Sequence, residues 1–176
     1  MKTLLTITLS LLLKTSLTSF EVDARNLQTY IENPKVVGEA RLSVLFWDIY
    51  DATLIAPDGQ YADKKPFALE LTYLRDFDGD DIASRSIDEM RKQGMKDEMK
   101  LAKWYEKMQQ IFPNVAEGQT ITGIVDDKQY SHFYFNNSYA GTVEDDEFTQ
   151  WFFNIWLSEA TSEPKMRDNL LGLRKK

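Results

Sequence analysis

Between residues 38 and 57 the chain reads GEARLSVLFWDIYDATLIAP, and its side chains divide cleanly by parity. Arg41, Ser43, Leu45, Trp47, Ile49, Asp51, Thr53 and Ile55 share one parity; Leu42, Val44, Phe46, Asp48, Tyr50, Ala52 and Leu54 share the other. Successive residues of a strand point to opposite faces, so the mostly apolar second set is the expected core side. A bend near Phe46–Asp48 splits the run into a hairpin of two adjacent strands and can change which face is inside. Arg41 then stands beside Trp and Tyr side chains, where a cation is either paired or available to an anionic ligand.

Pattern reading extends along the rest of the chain. Residues 25–32 are short and ambiguous, and Asn33-Pro34 ends them. Pro57-Asp58-Gly59 is a turn signal. In FALELTYL, Phe67, Leu69, Leu71 and Tyr73 alternate with Glu70 and Thr72, as in a half-buried strand. Asp78 to Asp81 opens a helix whose apolar face begins with Ile82, Ile87 and Met90 and is interrupted at Gly94. Leu101, Trp104, Tyr105, Met108, Ile111 and Phe112 recur at helical spacing, and Pro113 closes that helix. Residues 119–125 and 129–135 form a hairpin, and Tyr139 to Thr142 a short edge strand. Glu144 to Glu147 open a helix carrying Phe148, Trp151, Phe152 and Ile155, widened by Phe153 and Trp156, so it is buried on more than one side. A last short helix starts at Pro164 and stops near Gly172. The order of strands, helices, hairpin and helices predicts an α+β domain, a mainly antiparallel sheet with helices on one face.

The N-terminus changes the picture. A basic Met1-Lys2 start, the apolar run Leu4–Leu13 and the small-residue spacing Val22-Asp23-Ala24 match a secretory signal, and the run is too short to span a bilayer. The expected organisation is a signal peptide over residues 1–24 and one domain over 25–176, with cleavage after Ser19 as the fallback. The chain carries 21 Lys+Arg and 28 Asp+Glu, a net charge of −7. Removal of Lys2, Lys14, Glu21 and Asp23 leaves that balance unchanged. Such an acidic protein repels nucleic acid and anionic membrane surfaces. No second long apolar run follows the signal, so no integral membrane segment is expected after its removal. With no cysteine, thiol nucleophiles, iron–sulfur clusters and cysteine zinc sites are excluded. The expected location is the periplasm of a Gram-negative bacterium, with full secretion as the alternative.

The inventory of reactive groups is thin. His132, the one histidine, shares a strand face with Tyr130 and Tyr134 and reads as a partly exposed sheet residue rather than a catalyst. Asp76, Asp78, Asp80 and Asp81 fail the EF-hand spacing, since the sixth position is Asp81 and the twelfth Ile87. No phosphate loop, dinucleotide fingerprint or nucleophile elbow is present, and no metal or cofactor site is expected. Arg41 has two readings. It is either a strand arginine paired with Asp48, Asp51 or Glu39, or an anion-recognising guanidinium at the mouth of an apolar pocket walled by Trp47, Tyr50 and Tyr73.

Gly38…Arg41 with FWDIYDATLIAP, LELTYLRD, the helix from Asp80, FPNVAEGQTITG, HFYFNN, Gly141 before EDDEF, and WFFNIWLSEATSEPKMRDNLLG together resemble the chalcone isomerase-like family, in particular its bacterial exported branch. The resemblance covers nearly the whole chain after the signal. It implies an open-faced β-sandwich, a large antiparallel sheet with a layer of helices and a ligand cleft between them. The enzymatic members close a chalcone ring to a flavanone, with an arginine on the phenolate and a tyrosine and threonine ordering a water at the ketone. Other members bind fatty acids and are not enzymes. Arg41 stands where the strand arginine is expected. The threonine position falls near Ile49, the tyrosine position around Asp80 to Ile82, and the asparagine position near Glu89. None of these carries the family's group, and no tyrosine occurs between Tyr73 and Tyr105.

The resemblance therefore implies no catalytic residues and no cofactor. It implies a periplasmic, non-catalytic binding protein for a small amphipathic ligand such as a fatty acid or other carboxylate, with Arg41, Trp47, Tyr50 and Tyr73 as its ligand-binding residues. The alternatives are an isomerase (intramolecular lyase) of chalcone isomerase type on another substrate, and an envelope interaction protein with a filled cleft. A cleft packed by Trp151, Phe152 and Trp156 favours the last.

Overall fold

The computed structural model describes residues 24–173. Six strands, β1 (Pro34–Val44), β2 (Trp47–Pro57), β3 (Phe67–Tyr73), β4 (Thr120–Val125), β5 (Ser131–Phe135) and β6 (Ser138–Val143), form one sheet in sequence order. Every pairing is antiparallel. Helix α1 (Ala24–Tyr30) precedes the sheet. Helices α2 (Gly79–Lys92) and α3 (Glu98–Ile111) fall between β3 and β4, and α4 (Asp146–Leu157) and α5 (Pro164–Leu170) follow β6. Nearly all of the expected signal segment lies outside the described residues.

Local chemistry sets these boundaries. Asp97 caps α3 by accepting from the Met99 and Lys100 amides, and Asp145 caps α4 through the Phe148 amide. Gly94, with φ of 110°, breaks the chain between α2 and α3 in a conformation that costs other residues dearly. Asn136 and Asn137 hold φ of 44° and 68° and turn β5 into β6.

The main core lies between the sheet and helices α2–α5. Leu54, Leu69, Leu71, Ile121 and Phe133 from the strands meet Met90, Leu101, Met108, Phe148 and Phe152 from the helices. Phe152 is the hub of an aromatic cluster, with ring centroids 5.3 Å from Phe148, 5.4 Å from Phe133 and 5.5 Å from Trp156. α5 lies directly on β1. At Gly38 a Cβ would intrude on the carbonyl oxygens of Asn169 and Leu170, so only glycine permits that approach.

Two expectations are corrected. The layer of helices α2–α5 lies on one face of the sheet, as expected, while the short segment before Asn33 forms α1 on the opposite side, with Leu27 and Ile31 against Ile55, Ala68, Ile124 and Tyr134. For the same reason β3 is not half-buried: its outward Ala68 and Glu70 are 0% and 4% exposed. Val44 and Phe46 belong to the apolar parity yet are 49% and 97% exposed, since the β1–β2 hairpin reaches past the helical layer and turns in solvent at Leu45 and Phe46. Leu42, Tyr50, Ala52 and Leu54, nearer the body of the sheet, do join or pack on the core.

Candidate functional site

The four residues expected to line one pocket are divided by the sheet. Ala40 and Ala52 pair across β1–β2 and belong to the helix-side core, so their neighbours Arg41 and Asp51, also paired, project from the other face. Arg41 donates from Nε and Nη2 to the two oxygens of Asp51 at 2.6 and 2.8 Å, and from Nη1 to Asp48 at 2.9 Å. Ser43 Oγ donates to the other oxygen of Asp48 at 2.6 Å. These contacts raise the arginine pKa, chiefly through Asp51, and lower that of Asp48, chiefly through Ser43. Arg41 is therefore a fork already closed on two carboxylates.

Tyr50 and Tyr73 lie on the helix side, edge to face at 6.0 Å. The Tyr50 hydroxyl accepts from Trp156 Nε1 at 2.9 Å. Burial raises the pKa of both phenols, so neither is poised to ionise near neutrality. Trp47 is 58% exposed on the hairpin, and the Arg75 guanidinium stacks 4.1 Å over its ring. His132 is braced between Thr142 Oγ1 and Asp126 Oδ2, each at 2.9 Å, and stacks on Tyr30 at 4.5 Å. Among the described residues no group of three or more histidines and carboxylates is arranged to hold a metal ion.

The open concavity is elsewhere. Where α1 crosses the outer sheet face it leaves a groove of about 680 Å³. Leu27 and Ile31 of α1, Val36 of β1 and Ile55 of β2 supply apolar wall; Glu32, Lys35, Glu39, Thr53 and Glu70, with Gln28 and Asn33, supply polar groups. Glu39 and Thr53 also border an adjoining hollow of about 320 Å³ that ends at Arg41 and Asp51. Thr122 Oγ1 donates to Glu70 Oε2 at 3.3 Å, while burial raises the pKa of that carboxyl. Pattern reading missed this site. Glu70 looks like any polar residue of an alternating strand, and only the packing of the short, ambiguous segment before Asn33 gives it a roof.

A sequence profile described as chalcone isomerase-like matches residues 39–172, well over half the chain. The chain belongs to the chalcone isomerase-like family. An uncharacterized protein of Haemophilus influenzae is 26% identical over 141 residues, 79% of this chain and 68% of that protein. Among solved structures, an Arabidopsis thaliana fatty-acid binding protein superposes with a TM-score of 0.62 at 11% identity, over 79% of this chain and 87% of that one. At that identity the likeness establishes the shared fold.

Within this chalcone isomerase-like fold, the positions where the enzymatic members' tyrosine and asparagine are expected are held in structural contacts. Asp80 accepts from the Tyr105 hydroxyl at 2.7 Å and from Gln109 at 2.5 Å. Glu89, 6% exposed, is bound by Arg85 at 2.7 Å, Lys92 at 3.0 Å and Ser162 at 2.8 Å. Phe152 and Trp156 are buried between sheet and helices, with Trp151 packed against them.

Proposed function

We propose that this chain is a non-catalytic binding protein of the bacterial periplasm that holds a small amphipathic ligand in the groove between α1 and the outer sheet face. The observation that carries the reading is the contrast between the two faces. The helix side is filled by Phe112, Phe133, Phe152 and Trp156. The outer side keeps a concavity of about 680 Å³, within the size range of small-molecule sites, where apolar Leu27, Ile31, Val36 and Ile55 stand beside a larger set of polar and charged groups, among them Glu32, Lys35, Glu39 and Glu70. The fatty-acid binding activity named for the structurally similar Arabidopsis protein supports an amphipathic ligand for this fold. In this reading the Arg41–Asp51 pair bounds the far end of the groove. The signal-like start of the chain supports export.

Native mass spectrometry of protein purified from its own periplasm, followed by extraction of the released compound, tests this. A defined small-molecule adduct is expected, and it is expected to be lost when Thr53→Trp fills the groove. Protein of unadorned mass, or an adduct indifferent to Thr53→Trp, would overturn the reading.

The packing of Trp151, Phe152 and Trp156 between sheet and helices, together with the hairpin tip, supports a second reading, an envelope interaction protein with a filled cleft. Leu45 and Phe46 are 88% and 97% exposed, next to half-exposed Val44 and Trp47. Contiguous exposed apolar side chains mark interaction sites. A photocrosslinker at position 46 is expected to trap one discrete protein in the intact envelope. An absence of any specific adduct there would remove this reading.

A further inference from the structure

Among the described residues Glu70 has no cation to answer its charge. It stands in the middle of β3, 4% exposed, and its one hydrogen bond comes from Thr122 Oγ1 to Oε2. Among the described residues no lysine, arginine or histidine pairs with it. Among the described residues Oε1 accepts no hydrogen bond, and Glu70 lines the groove. The nearby lysine, Lys35, is directed to Asp58 at 3.4 Å. Glu32 and Glu39 add two more carboxylates to the lining. An ionised carboxylate in such a place is costly unless it is paired. A fatty-acid head would enter among three like charges, whereas a cation would supply the missing partner.

We propose that the groove takes a cationic amphiphile, its ammonium or guanidinium head seated on Glu70 Oε1 and its apolar body lying along Leu27, Ile31 and Ile55. The proposal rests on the reading of the groove as a ligand site and assigns the charge of its ligand. Thr122 fixes the carboxylate by engaging its other oxygen, which leaves Oε1 as the acceptor. The apolar walls bind the body through buried area, and the charge-assisted contact selects the head.

Three probes of equal chain length separate the possibilities: dodecylammonium, dodecanol and dodecanoate, each titrated calorimetrically into the purified protein below its aggregation concentration. Dodecylammonium is expected to bind at least tenfold more tightly than dodecanoate. Glu70→Gln, which keeps the shape and removes the charge, is expected to weaken dodecylammonium at least tenfold and to leave dodecanol unchanged. Thr53→Trp is expected to abolish binding of all three. Equal or tighter binding of dodecanoate, or dodecylammonium binding indifferent to Glu70→Gln, overturns the charge assignment while the groove stands. Failure of all three probes to bind, or binding unaffected by Thr53→Trp, overturns the groove reading and the assignment with it.

Discussion

Trp156 Nε1 donates a hydrogen bond to the Tyr50 hydroxyl at 2.9 Å, tying α4 to β2 across the space between the sheet and its helices. Trp156 is 7% exposed and also packs on Phe152. Truncation would remove a large buried ring and leave a cavity. Trp156→Ala is expected to destabilise the protein by about 3–5 kcal/mol in denaturant unfolding. Tyr50→Phe keeps the volume and strands one buried donor, a cost of about 1–3 kcal/mol. A Trp156→Ala loss below that for Tyr50→Phe would mean the layer is not packed as described.

The same packing predicts no chalcone isomerase activity. Ile49 has no hydroxyl, Asp80 is engaged by Tyr105 and Gln109, and Glu89 is held by basic groups and Ser162. Each missing preorganised donor typically costs about 10²–10³ in rate. Flavanone formation from a chalcone, followed by absorbance, should match the spontaneous background. Catalysis above it that disappears in Arg41→Ala would place a working site at Arg41.

Glu70 gives a pH signature. Its carboxyl titrates above the ordinary glutamate value in the fold, because burial penalises the anion more than the Thr122 hydrogen bond favours it. Thr122 on β4 and Thr53 on β2 face it, and the charged groups of the groove are Glu32, Glu39 and Lys35, the lysine directed to Asp58 rather than to Glu70. Where the folded pKa is raised, the folded state binds more protons than the unfolded one between the two values. Stability therefore falls as pH rises from the unfolded value, about 4.3, through the folded one. Glu70→Gln should escape that loss, matching the parent in acid and exceeding it at pH 7. Parallel stability curves from pH 4 to 8 would contradict this.

Gly38 lets α5 rest on β1. Gly38→Ala forces a methyl group against the Asn169 and Leu170 carbonyls, neither of which is a flexible side-chain tip. A loss of about 1–3 kcal/mol is expected from overpacking, read by thermal or denaturant unfolding. A neutral outcome would mean that α5 moves freely on the sheet.

Export carries its own test. N-terminal sequencing of the mature protein is expected to begin at or near Arg25, and to find it in the periplasmic fraction. An intact Met1 on a cytoplasmic protein would contradict the signal reading.

Much of the architecture is legible in local pattern, because strands and helices announce themselves by periods of two and 3.6. The hairpin at 38–57, the α3 face from Leu101 to Ile111 and the wide apolar surface of α4 each require only neighbours in sequence, and each stands in the structure as expected. Reactive residue types are equally legible: a chain without cysteine and with one histidine has few chemistries open to it. Which face of a strand is covered is a different kind of fact. Parity says that Arg41 and Tyr50 lie on opposite sides only once the register and the position of the bend are known. A segment as short as α1 gives no pattern strong enough to place it. Burial of Glu70 depends on Leu27 and Ile31 arriving from some forty residues away to close over Ile55 and Ala68. That long-range packing, rather than any motif, converts an ordinary strand glutamate into the floor of the groove, because a side chain's charge, solvation and accessibility are set by what folds over it.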